Sequence, residues 1–188
     1  MKFLAGSKKA LLTLASLAFL TSNNIFAKDF EPIIVIHGGT SGLGLTKEEF
    51  AKREKVMKES LKAGQSILKK GGSSVDAVIA AIKVMEDSPE FNAGKGAVFT
   101  SDGFNELDAS LMDGKNLKAG AIAMARTIKN PIEAARLVME KTPHTLIAGE
   151  GADKLAKKHG LEIVGQKYFF TEHRYKQLQE AKKVKKFY

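Results

Sequence analysis

The sequence predicts an α+β chain with an antiparallel or mixed sheet, and three observations carry that expectation. A β-branched run opens the part of the chain that can form a core, two amphipathic helical patterns follow it, and a group of short apolar runs then gives way to further helical pattern. Regular strand–helix–strand alternation, the mark of a parallel α/β sheet, is missing.

The first stretch stands apart from that fold. Lys2, Lys8 and Lys9 precede an apolar run over residues 10–20, shorter than the ~20 residues that span a bilayer. Thr21-Ser22-Asn23-Asn24 then leads to Ile25-Phe26-Ala27. This is the layout of an export signal cut after Ala27. Residues 1–27 are therefore expected to be a signal peptide and residues 28–188 one domain. The product would be secreted, periplasmic where the source has an outer membrane, and free of the membrane after cleavage.

Part of the net charge of +9 belongs to that leader. Much of the rest is a run at Lys182, Lys183, Lys185 and Lys186, which reads as a solvated helix end. No aromatic or glycine-rich RNA motif accompanies it, so no nucleic-acid partner is expected. The absence of cysteine excludes disulfides, zinc–thiolate sites and a cysteine nucleophile.

Residues 32–36 form a compact β-branched run that stops at His37-Gly38-Gly39, which reads as a buried strand ending in a tight turn. Thr46 with Glu49 three residues on predicts a capping box, and Phe50, Met57, Leu61, Gly64 and Leu68 give the following helix one face until Gly71-Gly72 ends it. Ser73 or Ser74 caps a second helix through Val75, Val78, Ile79 and Ile82 to about Met85, beyond which Pro89 prevents continuation.

Residues 86–96 read as an irregular loop, and residues 97–100 and 106–112 as a hairpin around Ser101-Asp102-Gly103. Residues 119–125 supply another strand. Asn130-Pro131 starts a helix whose apolar side is Ile132, Ala135, Val138 and Met139. A small strand near Leu146, a short helix ending at Gly160 and a charged helix from about Thr171 complete the chain.

One glycine motif invites a nucleotide-binding reading. Gly38-Gly39-Thr40-Ser41-Gly42-Leu43-Gly44 follows a strand and precedes a helix, as does the cofactor loop of short-chain dehydrogenases, and Asn92-Ala93-Gly94 resembles their second signature. The acidic residue expected about 20 positions on should end a second strand, yet that stretch lies inside an amphipathic helix. Tyr168 and Tyr175 have Glu172 and Gln179 where the catalytic Tyr-x-x-x-Lys needs lysine. A nicotinamide-dependent reading is therefore the weakest of the alternatives.

Taken as an ordered set, the motifs point elsewhere. His37-Gly38-Gly39, Phe91-Asn92-Ala93-Gly94-x-Gly96-Ala97-Val98-Phe99, Glu106-Leu107-Asp108-Ala109, Met112-Asp113-Gly114 and Leu117-Lys118-Ala119-Gly120-Ala121 come first. Asn130-Pro131, Ala134-Ala135-Arg136-Leu137-Val138-Met139-Glu140, Pro143-His144 and Gly149-Glu150-Gly151-Ala152 follow. The set resembles the plant-type asparaginases and isoaspartyl peptidases over about residues 32–183.

The resemblance implies an αββα sandwich of the N-terminal-nucleophile hydrolase type, of which this chain would be the α-subunit portion, without the β-subunit half. It implies a precursor that cuts itself to expose a threonine. The threonine hydroxyl attacks the side-chain amide of asparagine or a β-aspartyl peptide bond. Its own α-amine, with an ordinary pKa of about 7.7–8.0, accepts the proton.

The family's nucleophile stands in a Thr-Val-Gly motif, and none of the nine threonines here is followed by Val-Gly. No catalytic residue is therefore assigned in this chain, which is expected to be inactive alone and to need a β-subunit partner, with (αβ)2 as the complete assembly. The alternative is an inactive remnant or a binding module.

By resemblance, Asn92 positions the nucleophile or polarises the site, and Gly38 and Gly39 let backbone approach it. The backbone carbonyls of Met85, Glu86, Ser88, Phe91, Ala93 and Lys95 would surround a structural Na+, and no other cofactor is implied. Asp108 and Asp113 are rejected as a glycosidase pair, since an odd separation on a strand points them to opposite faces. His37, His144 and His159 have no metal-ligand spacing.

Overall fold

A computed structural model describes residues 31–39 and 44–184. The predicted signal peptide, Thr40 to Leu43 of the glycine motif, and Lys185 and Lys186 lie outside the described residues. The chain divides into two units, residues 1–33 and 34–188, and only residues 31–33 of the first are described.

Helix α1, Lys47–Lys69, begins at the predicted capping box. Thr46 Oγ1 accepts from the Glu49 N–H, and the Glu49 carboxylate accepts from the Thr46 N–H. Helix α2, Ser74–Glu86, is capped by Ser73, whose hydroxyl accepts from the Asp76 N–H. The two helices pack closely at Gly64, where a β-carbon would collide with Ile34 and the carbonyl of Ala77. Ser60, fully buried in the same seam, donates to the Ala81 carbonyl. Phe50 was expected on that face but is 60% exposed, because it lies in the first turn of α1.

A three-stranded mixed sheet follows: β1 (Leu107–Asp113), β2 (Lys118–Ala125) and β3 (Leu146–Ala148), in the order β1-β2-β3. β1 and β2 are antiparallel, with Ser110 opposite Ala121 and Met112 opposite Ala119; β3 runs parallel to β2. Helix α3, Pro131–Lys141, covers one face. Ile132, Ala135, Val138 and Met139, the predicted apolar side, are all buried. Helices α4 (Glu150–Lys158), α5 (Gln166–Phe169) and α6 (Glu172–Lys183) finish the chain. The core joins Leu107, Ile122, Ile128, Val138, Ala156 and Phe169.

Two expectations are corrected. Residues 32–36 have no strand partner among the described residues, and Ile33 and Val35 are 83% and 85% exposed. A strand is defined by its ladder, and an apolar run with no neighbour to pair with stays extended and uncovered. The hairpin expected around Ser101-Asp102-Gly103 shrinks to one bridge, Phe99 with Asn105. Asn105 is drawn inward instead: its Nδ2 donates to the carbonyls of Ala97 and Val98, and its N–H donates to Gln166. The true hairpin is β1–β2. Its turn is tied by Asp113, whose carboxylate accepts from the Lys115 N–H and Asn116 Nδ2.

Candidate active site

The connection from α2 to β1 is built on main-chain oxygens. A β-carbon at Gly94 would run into the Glu86 carbonyl, and one at Gly96 into the carbonyls of Phe91 and Pro89. Only glycine lets these oxygens crowd the short 3-10 turn Gly94–Gly96. The Met85 carbonyl accepts from the Ser88 N–H, and that of Ala93 from the Gly96 N–H. The Asn92 side chain closes the loop, its Oδ1 accepting from the Val98 N–H at 2.9 Å.

This loop forms one wall of a cavity of about 480 Å³. Gly38, Gly39 and Asn92, separated by half a hundred residues in the chain, all line it. Gly38 sits against Phe91 and Met57 so tightly that a β-carbon would touch both. Gly39, at φ +102°, donates its N–H to His37 Nδ1 at 3.3 Å. Asn92 lines the cavity with its Oδ1 held by Val98, and its amide also carries two N–H donors, a kind of group suited to developing negative charge.

The residues of the expected sodium loop fit that group in donor chemistry. Main-chain carbonyls are the kind of donor a hard monovalent cation takes, and those of Glu86 and Phe91 lie against the glycines of this loop. Lys95 does not oppose this, because its ammonium lies 5.5 Å over the Tyr168 ring. Among the described residues no cluster of three or more His, Asp or Glu could hold a metal.

Two kinds of residue escaped the sequence reading. Glu86 was read only through its carbonyl, yet its side chain is 3% exposed. Its Oε1 accepts from the Ile132 N–H at the start of α3, and its Oε2 is buried without a hydrogen-bond partner among the described residues. Burial pushes this carboxyl up to about 8, despite the hydrogen bonds from Ile132 and Asn130 that favour its charged form. A signal existed: Val75, Ile79, Ile82 and Glu86 continue one helical stripe. Arg53 on α1 and Arg174 on α6 also line the cavity, and no sequence signal joined them to it.

Asp108, set aside above, accepts from the Met124 N–H, and Thr171, where the last helix was expected to start, caps α6 by accepting from the Arg174 N–H.

The sequence of this chain matches a known family. The profile of the family described as Asparaginase matches residues 30–187, and the chain belongs to that family. A Dictyostelium discoideum protein, provisionally named an isoaspartyl peptidase/L-asparaginase, is 50% identical over 159 residues, covering 82% of this chain and 45% of its own length. The human isoaspartyl peptidase/L-asparaginase is 46% identical over 155 residues (82% of this chain, 50% of that protein). The isoaspartyl peptidase of Escherichia coli is 42% identical over 154 residues (80% and 48%). The chain thus spans about half the length of the curated relatives it matches.

Proposed function

We propose that this chain is the α-subunit portion of an L-asparaginase/isoaspartyl peptidase. In this reading the threonine nucleophile comes from the half of the relatives' length that the chain does not span. One observation carries it: Gly38, Gly39 and Asn92, the residues singled out by family resemblance, line one cavity. The attacking hydroxyl would stand there, with Asn92 donating toward the oxygen that gains charge. The hydroxyl adds to the amide carbon, its proton passes to the threonine's own amine, ammonia or an amine leaves, and water releases aspartate from the acyl-enzyme.

The reading extends to further parts. The half-sandwich would be completed by the β subunit, and two αβ units would form the assembly. Residues 1–27 would direct export. The 85–95 loop would hold Na+ through the carbonyls of Met85, Glu86, Ser88, Phe91, Ala93 and Lys95. The ion would supply rigidity to the loop that carries Asn92.

The test is turnover with and without a partner. Residues 28–188 are produced alone and together with a Thr-initiated C-terminal half from a curated relative, and ammonia release from asparagine and aspartate release from a β-aspartyl dipeptide are measured. No turnover is expected from the lone chain, and turnover that depends on the partner's threonine is expected from the pair. Turnover by the lone chain overturns the assignment of the nucleophile. Silence from a folded, associated pair favours a second reading, an inactive remnant, which the exposure of Met112 and Leu146 on the sheet also suits.

A further inference from the structure

Asn92 is held by one peptide unit, and that unit is itself held. The Asn92 Oδ1 accepts from the Val98 N–H. The carbonyl of the same peptide unit, that of Ala97, accepts from Asn105 Nδ2 at 2.9 Å, and Asn105 is fully buried. A hydrogen bond to the carbonyl of a peptide polarises its N–H, so this grip orients the bond to Asn92 and strengthens it. Asn105 is anchored in turn by Gln166 of α5, which accepts from the Asn105 N–H and donates to the Asn105 carbonyl.

The preceding peptide unit has a brace of its own. The Ala97 N–H donates to the Gly94 carbonyl, and the Gly96 carbonyl accepts from Arg174 Nε at 2.8 Å. Local chemistry on α6 puts the guanidinium there. Thr171 caps the helix by accepting from the Arg174 N–H, Leu178 one turn on is buried, and Gln177 Oε1 accepts from Arg174 Nη1 at 3.0 Å. A guanidinium gripped at both of these nitrogens has little freedom left, and a charged donor bonds a carbonyl more strongly than a neutral one. Val98 is 44% exposed, so packing alone does not fix its N–H.

We propose that Arg174, backed by Asn105, is a positioning residue: by fixing successive peptide units it aims the Val98 N–H at Asn92 and so sets the Asn92 amide on the cavity wall. The assignment rests on the reading of that cavity as an active site. It gives α6 a part in the chemistry that requires no contact with substrate.

The first arm of the experiment is hydrogen exchange by NMR on the 188-residue chain. In the unsubstituted protein the Arg174 Nε–H is expected to exchange about 10-fold more slowly than that of an exposed arginine, as a persistent hydrogen bond requires. Exchange at the free rate overturns the proposal, and this measurement needs no variant to fold. In Arg174→Met the Val98 N–H should exchange about 10-fold faster while amides of the β1–β2 ladder stay within about 2-fold. Arg174→Lys, which keeps a charged donor, should recover part of the protection. A Val98 N–H that does not respond, or responds only in step with the ladder, makes Arg174 a plain tether and overturns the proposal.

The second arm is kinetic, with the Thr-initiated partner half. Arg174→Met should lower kcat on a β-aspartyl dipeptide about 10-fold with KM within about 2-fold. Added to Asn92→Ala it should cost less than about 2-fold further, because a positioning residue acts only through the group it positions. Effects that multiply overturn the proposal. A silent parent pair overturns the active-site reading and the positioning role with it, while the exchange results still decide the brace.

Discussion

Glu86 ends the apolar stripe that starts at Val75, and its carboxyl meets the N-terminus of α3 at the Ile132 N–H with one oxygen left unpartnered. Water is excluded there, so the charged form is costly and the proton is retained up to about pH 8. The unfolded chain loses that proton near the ordinary glutamate value of about 4.3. Between these values the native state binds the extra proton, so this group's contribution falls as pH rises, by up to about 1.4 kcal/mol per unit, and levels off above about 8. Glu86→Gln keeps an acceptor for Ile132 and has nothing to ionise. Its melting temperature, by scanning calorimetry at pH 5, 6.5 and 8, should gain progressively on the parent chain. A difference that does not change with pH would show that Glu86 is ionised in the fold.

At the scale of elements, β2 and α3 depend on a missing side chain. A β-carbon on Gly120 would strike the Ala135 carbonyl, the Met139 N–H and the Met139 β-carbon, so helix and strand approach backbone to backbone. Gly120→Ala must separate them, and because the obstacles are main-chain atoms it should cost more than about 2 kcal/mol in urea unfolding. A loss below about 0.5 kcal/mol would mean that α3 sits further from the sheet. Local chemistry made these helices legible: the Thr46–Glu49 box, the Ser73 cap and Pro131 at the first turn of α3 are all in place. What failed was pairing. A strand's partner is not written in its own residues: 32–36 and 97–100 fail as strands, while 106–112 and 119–125 form β1 and β2 but pair with each other. The site divides the same way. Gly38, Gly39 and Asn92 were legible as contiguous motifs; Arg53 and Arg174 meet only because two remote helices converge.

At the scale of the molecule, the described residues cover the sheet on one side only. Leu107, Leu111, Gly120 and Ile122 are buried beneath α3 and its neighbours. The strand pairing places Ser110, Met112, Ala119, Ala121, Ala123, Leu146 and Ala148 on the opposite face, where Met112 and Leu146 are 60% and 57% exposed. An apolar sheet face of this kind is a surface that another layer covers or that drives association. In the proposed sandwich the β-subunit sheet covers it. Met112→Lys with Leu146→Lys separates the two fates. Neither side chain has lost most of its water contact, so the fold should change by no more than about 0.5 kcal/mol per site. The lone variant should stay dispersed, by light scattering, at concentrations where the parent chain aggregates. Mixed with a Thr-initiated partner half, it should lose more than about 10-fold of the turnover the parent pair gains, since two buried ammonium groups cannot be tolerated between packed sheets. Full turnover by the doubly substituted pair would show that the partner docks elsewhere, and the sheet-on-sheet arrangement would fall with it.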